Sequence, residues 1–418
     1  MRERSTMGRE KAITKDLVRS AEQPSPVTQS RPRKRAVRLA PAVEAQVSRF
    51  EAPVRRELRK LIRTSERFAD LAEVFPGAAF AIASRRGSQV AREKAIELVI
   101  AGAPLKSVAR KLELPNWLRK LPPEAFESQL GPVPNSETFN RRVASRLPRD
   151  ARQAPFWLDS VSFATQAANE DFAIWLADQP IYSDRGEPHR LFAVLAAYAW
   201  FSTQDLEATN LIVVPWRPEI AFDTALCAAK SWLNRLRLIL QLETGAISDA
   251  WLEEGMAEGY SFVSLLDRDV LLLEAQAMQN CADQYAERLA REKCRLFSVR
   301  RKGIHVATLE IGPHPRENGV LAINQLKARH NMPASIEVWQ AAYSWMAQQT
   351  RIKRLPPMVA PERSFNEKIW RELMYSYRKE KSGAVWLPQR LTQSTFTRLD
   401  MDMCDLAKRA CVTSWLFT

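Results

Sequence analysis

Three short segments decide the fold class: Arg295-Leu-Phe-Ser-Val-Arg300, Ile304-His-Val-Ala-Thr-Leu-Glu-Ile311 and Val320-Leu-Ala-Ile-Asn-Gln-Leu326. Their short apolar runs, rich in β-branched residues and broken by polar ones, are the pattern of buried and half-buried strands. Arg300-Arg301-Lys302-Gly303 reads as a tight hairpin turn carrying three positive charges. The second connection, residues 312–319, is a longer Pro-containing loop with His314 and Arg316. Before the strands, residues 269–293 carry one apolar stripe at helical spacing: Leu271, Ala275, Met278, Ala282, Tyr285 and Leu289. A second helix pattern follows over residues 334–349. The expected fold is α+β, mostly α-helical, with a small three-stranded antiparallel sheet flanked by helices and wet on one face.

The rest of the chain reads as helix. Residues 1–48 form a basic tail, expected to be disordered; counted to Phe50 it holds 12 basic and 5 acidic side chains, half of the chain's net +14. Residues 49–150 and 151–268 are helical regions, divided by Pro, Gly and Ser punctuation. A unit of helix, three strands and helix occupies 269–349, and a basic helical region 350–418. In residues 54–62, Val54, Leu58, Leu61 and Ile62 lie at helical spacing among arginines and lysines. Leu211 to Val214 reads as one short β-type run ended by Pro215. Trp157, Trp175 and Trp200 read as core residues.

Residues 105–121 have two readings. Val108-Ala109, Leu112 and Leu114 have the spacing of a helix-turn-helix, but Glu113 occupies a turn position that favours glycine. Pro122-Pro123 also cuts the would-be recognition helix to under two turns. A plain corner between two helices fits better.

Charge points to the partner class. The chain has 418 residues with 62 Lys and Arg against 48 Asp and Glu. Such a balance favours polyanions through counterion release. Nucleic acid is the expected partner, with Arg31, Arg33, Lys34 and Arg35 in the tail and Arg300, Arg301, Lys302 and Arg329 at the strand tips as contacts. The alternative is that exposed turns attract charge and that these residues blunt a sheet edge. A basic helix over residues 365–379 interleaves Trp370, Tyr375 and Tyr377 with cations; it suits stacking on single strands or, equally, packing its aromatics on the core. Five widely spaced cysteines without a CxxC pair fit a reducing compartment. No apolar run reaches the roughly 20 residues a membrane span needs, and the N-terminal residues lack a leader pattern. A cytoplasmic location is expected.

Several residues of the 269–349 unit also carry a family resemblance. Cys281-x-x-x-Tyr285, Leu296-Phe297-Ser-Val-Arg300, Ala307-Thr-Leu-Glu-Ile311, Gln325-x-Lys327 and Asn331 resemble the PcfJ-like proteins of plasmids and phages. A looser echo lies at Leu114-Pro-Asn-Trp-Leu-Arg119. Ala328 stands where family members usually have glycine. The resemblance implies association with mobile elements and conjugation genes, and other mobile-element proteins as partners. It implies no established activity.

A catalytic alternative comes from the element order, which resembles the core of PD-(D/E)xK nucleases. Glu310 would be the second-strand acid and metal ligand, and Gln325-x-Lys327 the third-strand pair around Mg²⁺ or Mn²⁺. Gln325 offers an uncharged oxygen, which lowers metal affinity. A further acid, Glu274 or Glu287, would come from the preceding helix. The competing structural reading pairs Glu310 with Lys327 or Arg295 across the sheet. A third function class is a scaffold that binds other proteins.

Overall fold

The computed structural model describes residues 39–418, apart from 85–87, 128–129, 144–145, 149, 180, 182–185, 243–246, 248, 350–364, 382–386 and 413–418. The tail cations Arg31, Arg33, Lys34 and Arg35 lie outside the described residues. Residues 40–418 form one compact unit.

That unit is α+β, with seventeen α-helices and one antiparallel sheet among the described residues. The sheet has five strands rather than three, in the order β1-β2-β3-β4-β5. The three expected strands are present as β3 (Arg295–Arg301), β4 (Ile304–Pro313) and β5 (Leu321–Ala328). Ahead of them lies an unforeseen hairpin, β1 (Gly255–Ala257) and β2 (Tyr260–Ser264). Three residues are too few for β1 to show periodicity. Its turn, Glu258-Gly259, has left-handed φ values of 50° and 77°, the two-residue geometry that matches strand twist.

The sheet is covered on both faces, which corrects the expectation of a wet face. The helix pattern of 269–293 resolves into α1 (Arg268–Met278), a 3₁₀ turn (Ala282–Gln284) and α2 (Ala286–Ala290). Gln279 breaks it with a φ of 47°, and the Asn280 side chain accepts the Ala282 N–H at 3.1 Å. This broken helix packs Leu271, Ala275, Ala286 and Leu289 with Leu296. On the opposite face lies α3 (Ile336–Ala347), whose Trp345 stacks on Phe262 at 4.6 Å and 5°. Phe297, Val299, Leu309 and Leu326 complete that second core.

Elsewhere the helices follow the apolar pattern, with local differences. Pro41–Ser48, assigned to the tail, is a helix whose Val47 is fully buried, and the neighbouring Gln46 amide donates to the Ala72 carbonyl. In Ala52–Thr64, Val54, Leu58 and Ile62 are buried and Arg56, Lys60 and Arg63 exposed, as the spacing requires. Leu211 closes a 3₁₀ turn (Glu207–Leu211) and residues 212–214 are irregular, so the expected β-type run is not a strand. No reading helix follows Leu105–Lys111. Asn116–Lys120 is a 3₁₀ turn with Trp117 and Leu118 buried, and Glu113 adopts a φ of 58°. Trp157, Trp175 and Trp200 are core residues. Trp370 and Tyr377 of the Glu367–Glu380 helix also pack inward, Tyr377 donating its hydroxyl to the Ala167 carbonyl at 2.9 Å.

Candidate functional site

Two polar features are built by the sheet, one on its α1–α2 face and one at its hairpin end. On the α1–α2 face the period of two places Thr308 and Glu310 of β4 side by side. The register sets Lys327 opposite Thr308 and Gln325 opposite Glu310. A register shift follows, since Ile311 pairs with Ile323, and the extra residue Asn324 donates to Glu310 Oε1 at 3.2 Å. Glu310, Gln325 and Lys327 therefore line one cleft, together with Cys281, Tyr285 and Asn331 from the broken helix and the turn after β5. These include most of the polar residues that carry the family resemblance.

The cleft is small, about 20 Å³, which is room for roughly one water. Glu310 is 2% exposed and its acceptor positions are occupied. Tyr285 donates its hydroxyl to Oε2 at 2.9 Å, Arg288 Nη1 donates to Oε2 at 3.0 Å, and Arg288 Nη2 closes on Oε1. Burial, then the charge and hydrogen bond of Glu310, push the Tyr285 hydroxyl above its ordinary range. Burial, then the Asp283 charge, also raises the Cys281 thiol. Thus the ion pair of Glu310 comes from α2, not from Lys327 or Arg295. Arg295 instead donates to the carbonyls of Asp249 and Cys294 and lies over the Trp251 ring at 4.4 Å.

This donor set does not fit Mg²⁺ or Mn²⁺. The carboxylate expected to bind the ion accepts from a hydroxyl, a guanidinium and an amide, and the guanidinium adds a positive charge at the same oxygens. Among the described residues no group of three His, Cys, Asp or Glu side chains is placed to hold a metal. Of the two helix acids considered, Glu287 pairs with Arg237 and Arg291. Glu274 is fully buried on the sheet face; it accepts the Thr308 hydroxyl at 2.6 Å and pairs with His305 Nδ1 at 2.6 Å.

Glu274 is the centre of a hydrogen-bonded chain that spacing does not reveal. Arg300 Nε donates to Ser298 Oγ at 3.0 Å, and Ser298 Oγ lies 3.2 Å from His305 Nδ1. His305 meets Glu274, Glu274 meets Thr308, and Asn280 donates to Thr308 Oγ1 at 2.8 Å. The chain joins the hairpin end to the rim of the cleft. Beside that rim a cavity of about 1000 Å³ opens between the broken helix and the Phe222–Gln241 helix, sharing Asn280, Cys281 and Asn331 with the cleft.

The second feature is the hairpin end. Arg301 pairs with Ile304, so Lys302 and Gly303, with φ values of 51° and 79°, form the β3–β4 turn. Ala307 pairs with Ala328, which brings Arg329 to the same end of the sheet, and Ser261 pairs with Arg300, which brings the β1–β2 turn there. Arg301, Lys302, Arg329 and His330 are exposed, while Arg300 is half-buried and tied to Ser298. Arg301 lies 5.3 Å from the centre of the Tyr260 ring. Glu258 and Glu337 are acids of the same end. Arg300, Arg301, Lys302 and Arg329 thus lie at one end of the sheet, with Arg300 turned to the α1–α2 face.

No protein-family model, curated protein or solved structure matches this chain. Among the described residues no helix is long and apolar enough to cross a membrane.

Proposed function

We propose that this protein binds nucleic acid through the hairpin end of its sheet, as a component of a mobile element or conjugation system. The carrying observation is the convergence of Arg301, Lys302 and Arg329 on one exposed end of a rigid sheet. Cations held by paired strands meet phosphates with little ordering cost, and a two-stranded ribbon is narrow enough to approach a groove or a strand. The tail cations Arg31, Arg33, Lys34 and Arg35 would add to the same field. The link to mobile elements rests on the PcfJ-like resemblance, whose polar residues Cys281, Tyr285, Glu310, Gln325, Lys327 and Asn331 line one cleft. The test is equilibrium binding of labelled DNA and RNA by the full chain and by the Arg301→Ala/Lys302→Ala/Arg329→Ala variant. Loss of affinity in the variant supports the reading; equal affinity removes it.

The nuclease reading has one observation in its favour, the shared cleft of Glu310, Gln325 and Lys327. Against it stands the full occupancy of Glu310. Cleavage dependent on Mg²⁺ or Mn²⁺ and abolished by Glu310→Ala would restore it; equal cleavage by that variant would end it.

A further inference from the structure

Helix α3 presents an aromatic face that the sheet does not use. Ala341, Ala342 and Trp345 point into the core, whereas Ile336 and Tyr343, seven residues apart, are 73% and 61% exposed. Trp339, one turn before Tyr343, stacks on it with ring centroids 5.7 Å apart and planes at 30°. The inner side of Trp339 packs on the core, so the pair is anchored from below and open from above. Met332, 60% exposed, leads into this face.

The face begins at the basic end of the sheet. After Ala328 the chain doubles back, Pro333 bridging Lys327, and enters α3 at Ile336. Arg301 faces the same side, because β3 alternates Phe297, Val299 and Arg301 toward α3. The Ser335 side chain, the local backbone and the Arg301 charge hold the Glu337 carboxyl below its ordinary range. From Glu337 to Tyr343 is six residues of helix, about 9 Å along its axis.

We propose that this surface takes single-stranded nucleic acid, with bases stacking on Tyr343 and Trp339 and phosphates of the same strand on Arg301, Lys302 and Arg329. The proposal rests on the nucleic-acid reading of the hairpin end and specifies its substrate. A duplex hides its base faces, so an aromatic pair on a convex helix has nothing to stack on there. Unpaired bases of any sequence supply that face. Arg301, Lys302 and Arg329 outnumber the acids Glu258 and Glu337 at that end, which favours a polyanionic strand over a second apolar surface.

Fluorescence anisotropy with a labelled oligothymidylate of about 12 nucleotides, and with a duplex of equal length, tests this. Tighter binding of the single strand is expected. Tyr343→Ala should weaken it by about 5- to 150-fold and leave duplex binding unchanged, and Tyr343→Phe should restore it. Tyr343 is exposed, so neither variant threatens the core. Quenching of tryptophan fluorescence on binding should also diminish in Trp339→Phe. Equal affinity for both forms, unaltered by Tyr343→Ala, overturns the stacking proposal while leaving the hairpin reading intact, provided the triple-alanine variant weakens both. Absence of binding to either form overturns both.

Discussion

Arg288 holds the buried carboxylate of Glu310 in a two-pronged ion pair, its Nη1 standing 3.0 Å from Oε2, and so ties α2 to the middle of β4. A carboxylate placed inside an apolar strand needs such a partner, because an unpaired buried charge is far costlier than an unpaired surface one. Arg288 reaches solvent at its outer edge, whereas Glu310 does not.

The two partners should therefore differ as mutation sites. Arg288→Ala leaves Glu310 with only Tyr285 and Asn324 and should cost about 3 kcal/mol of stability. Glu310→Gln keeps an acceptor for Tyr285 and should cost about 1–2 kcal/mol. The double variant should be more stable than the sum of the single losses predicts. Urea unfolding of the three variants measures this; simple additivity would mean the pair is not coupled.

Trp345 should be among the costliest positions in the sheet unit. It is buried between Phe262 and Phe297 and donates its indole N–H to the Glu253 carbonyl at 3.2 Å. Trp345→Ala should lose about 3–5 kcal/mol. A loss under about 1 kcal/mol by urea unfolding would contradict the packing described.

Glu113 should be a stabilising site. Its φ of 58° is the left-handed conformation in which a side chain is disfavoured. Glu113→Gly should raise stability by about 1 kcal/mol, seen as a higher urea midpoint at unchanged slope. No gain would mean that the Glu113 side chain offsets the backbone cost.

The thiols should separate by reactivity. Burial, followed by the Glu310 charge, pushes Cys294 up to about 12, whereas Cys411 is exposed. A disulfide reagent near neutral pH should label Cys411 in the native protein and Cys294 only after unfolding. Because the folded thiol keeps its proton while the unfolded one ionises near 9.0, Cys294 contributes stability that is present below that value. That contribution is lost as pH rises from about 9 toward about 12. Native labelling of Cys294 at neutral pH would contradict its burial.

How much was legible follows from periodicity. β3, β4 and β5 were readable within a residue or two because each is long enough to show its pattern, and Lys302-Gly303 marks their turn. β1 and β2 were not, since three and five residues carry too little pattern; Glu258-Gly259 before Tyr-Ser-Phe-Val was the available signal. The break at Gln279 was hidden because the apolar stripe continues across it through Ala282 and Leu289. In the cleft, Glu310, Gln325 and Lys327 share one face of the sheet, as strand parity and register require. Arg288 as the partner of Glu310, and Glu274 at the centre of the polar chain, depend on how the broken helix lies on the sheet. No spacing rule contains that.

The most direct measurement is the salt dependence of oligonucleotide binding between about 50 and 200 mM, comparing the parent chain with Arg301→Ala/Lys302→Ala/Arg329→Ala. The parent chain should bind at low salt, with affinity falling steeply as salt rises. For a single strand, the log–log slope of the variant should be shallower by about 2, the loss of three phosphate contacts. Identical slopes and affinities, or no binding by the parent at low salt, would contradict binding through the hairpin end.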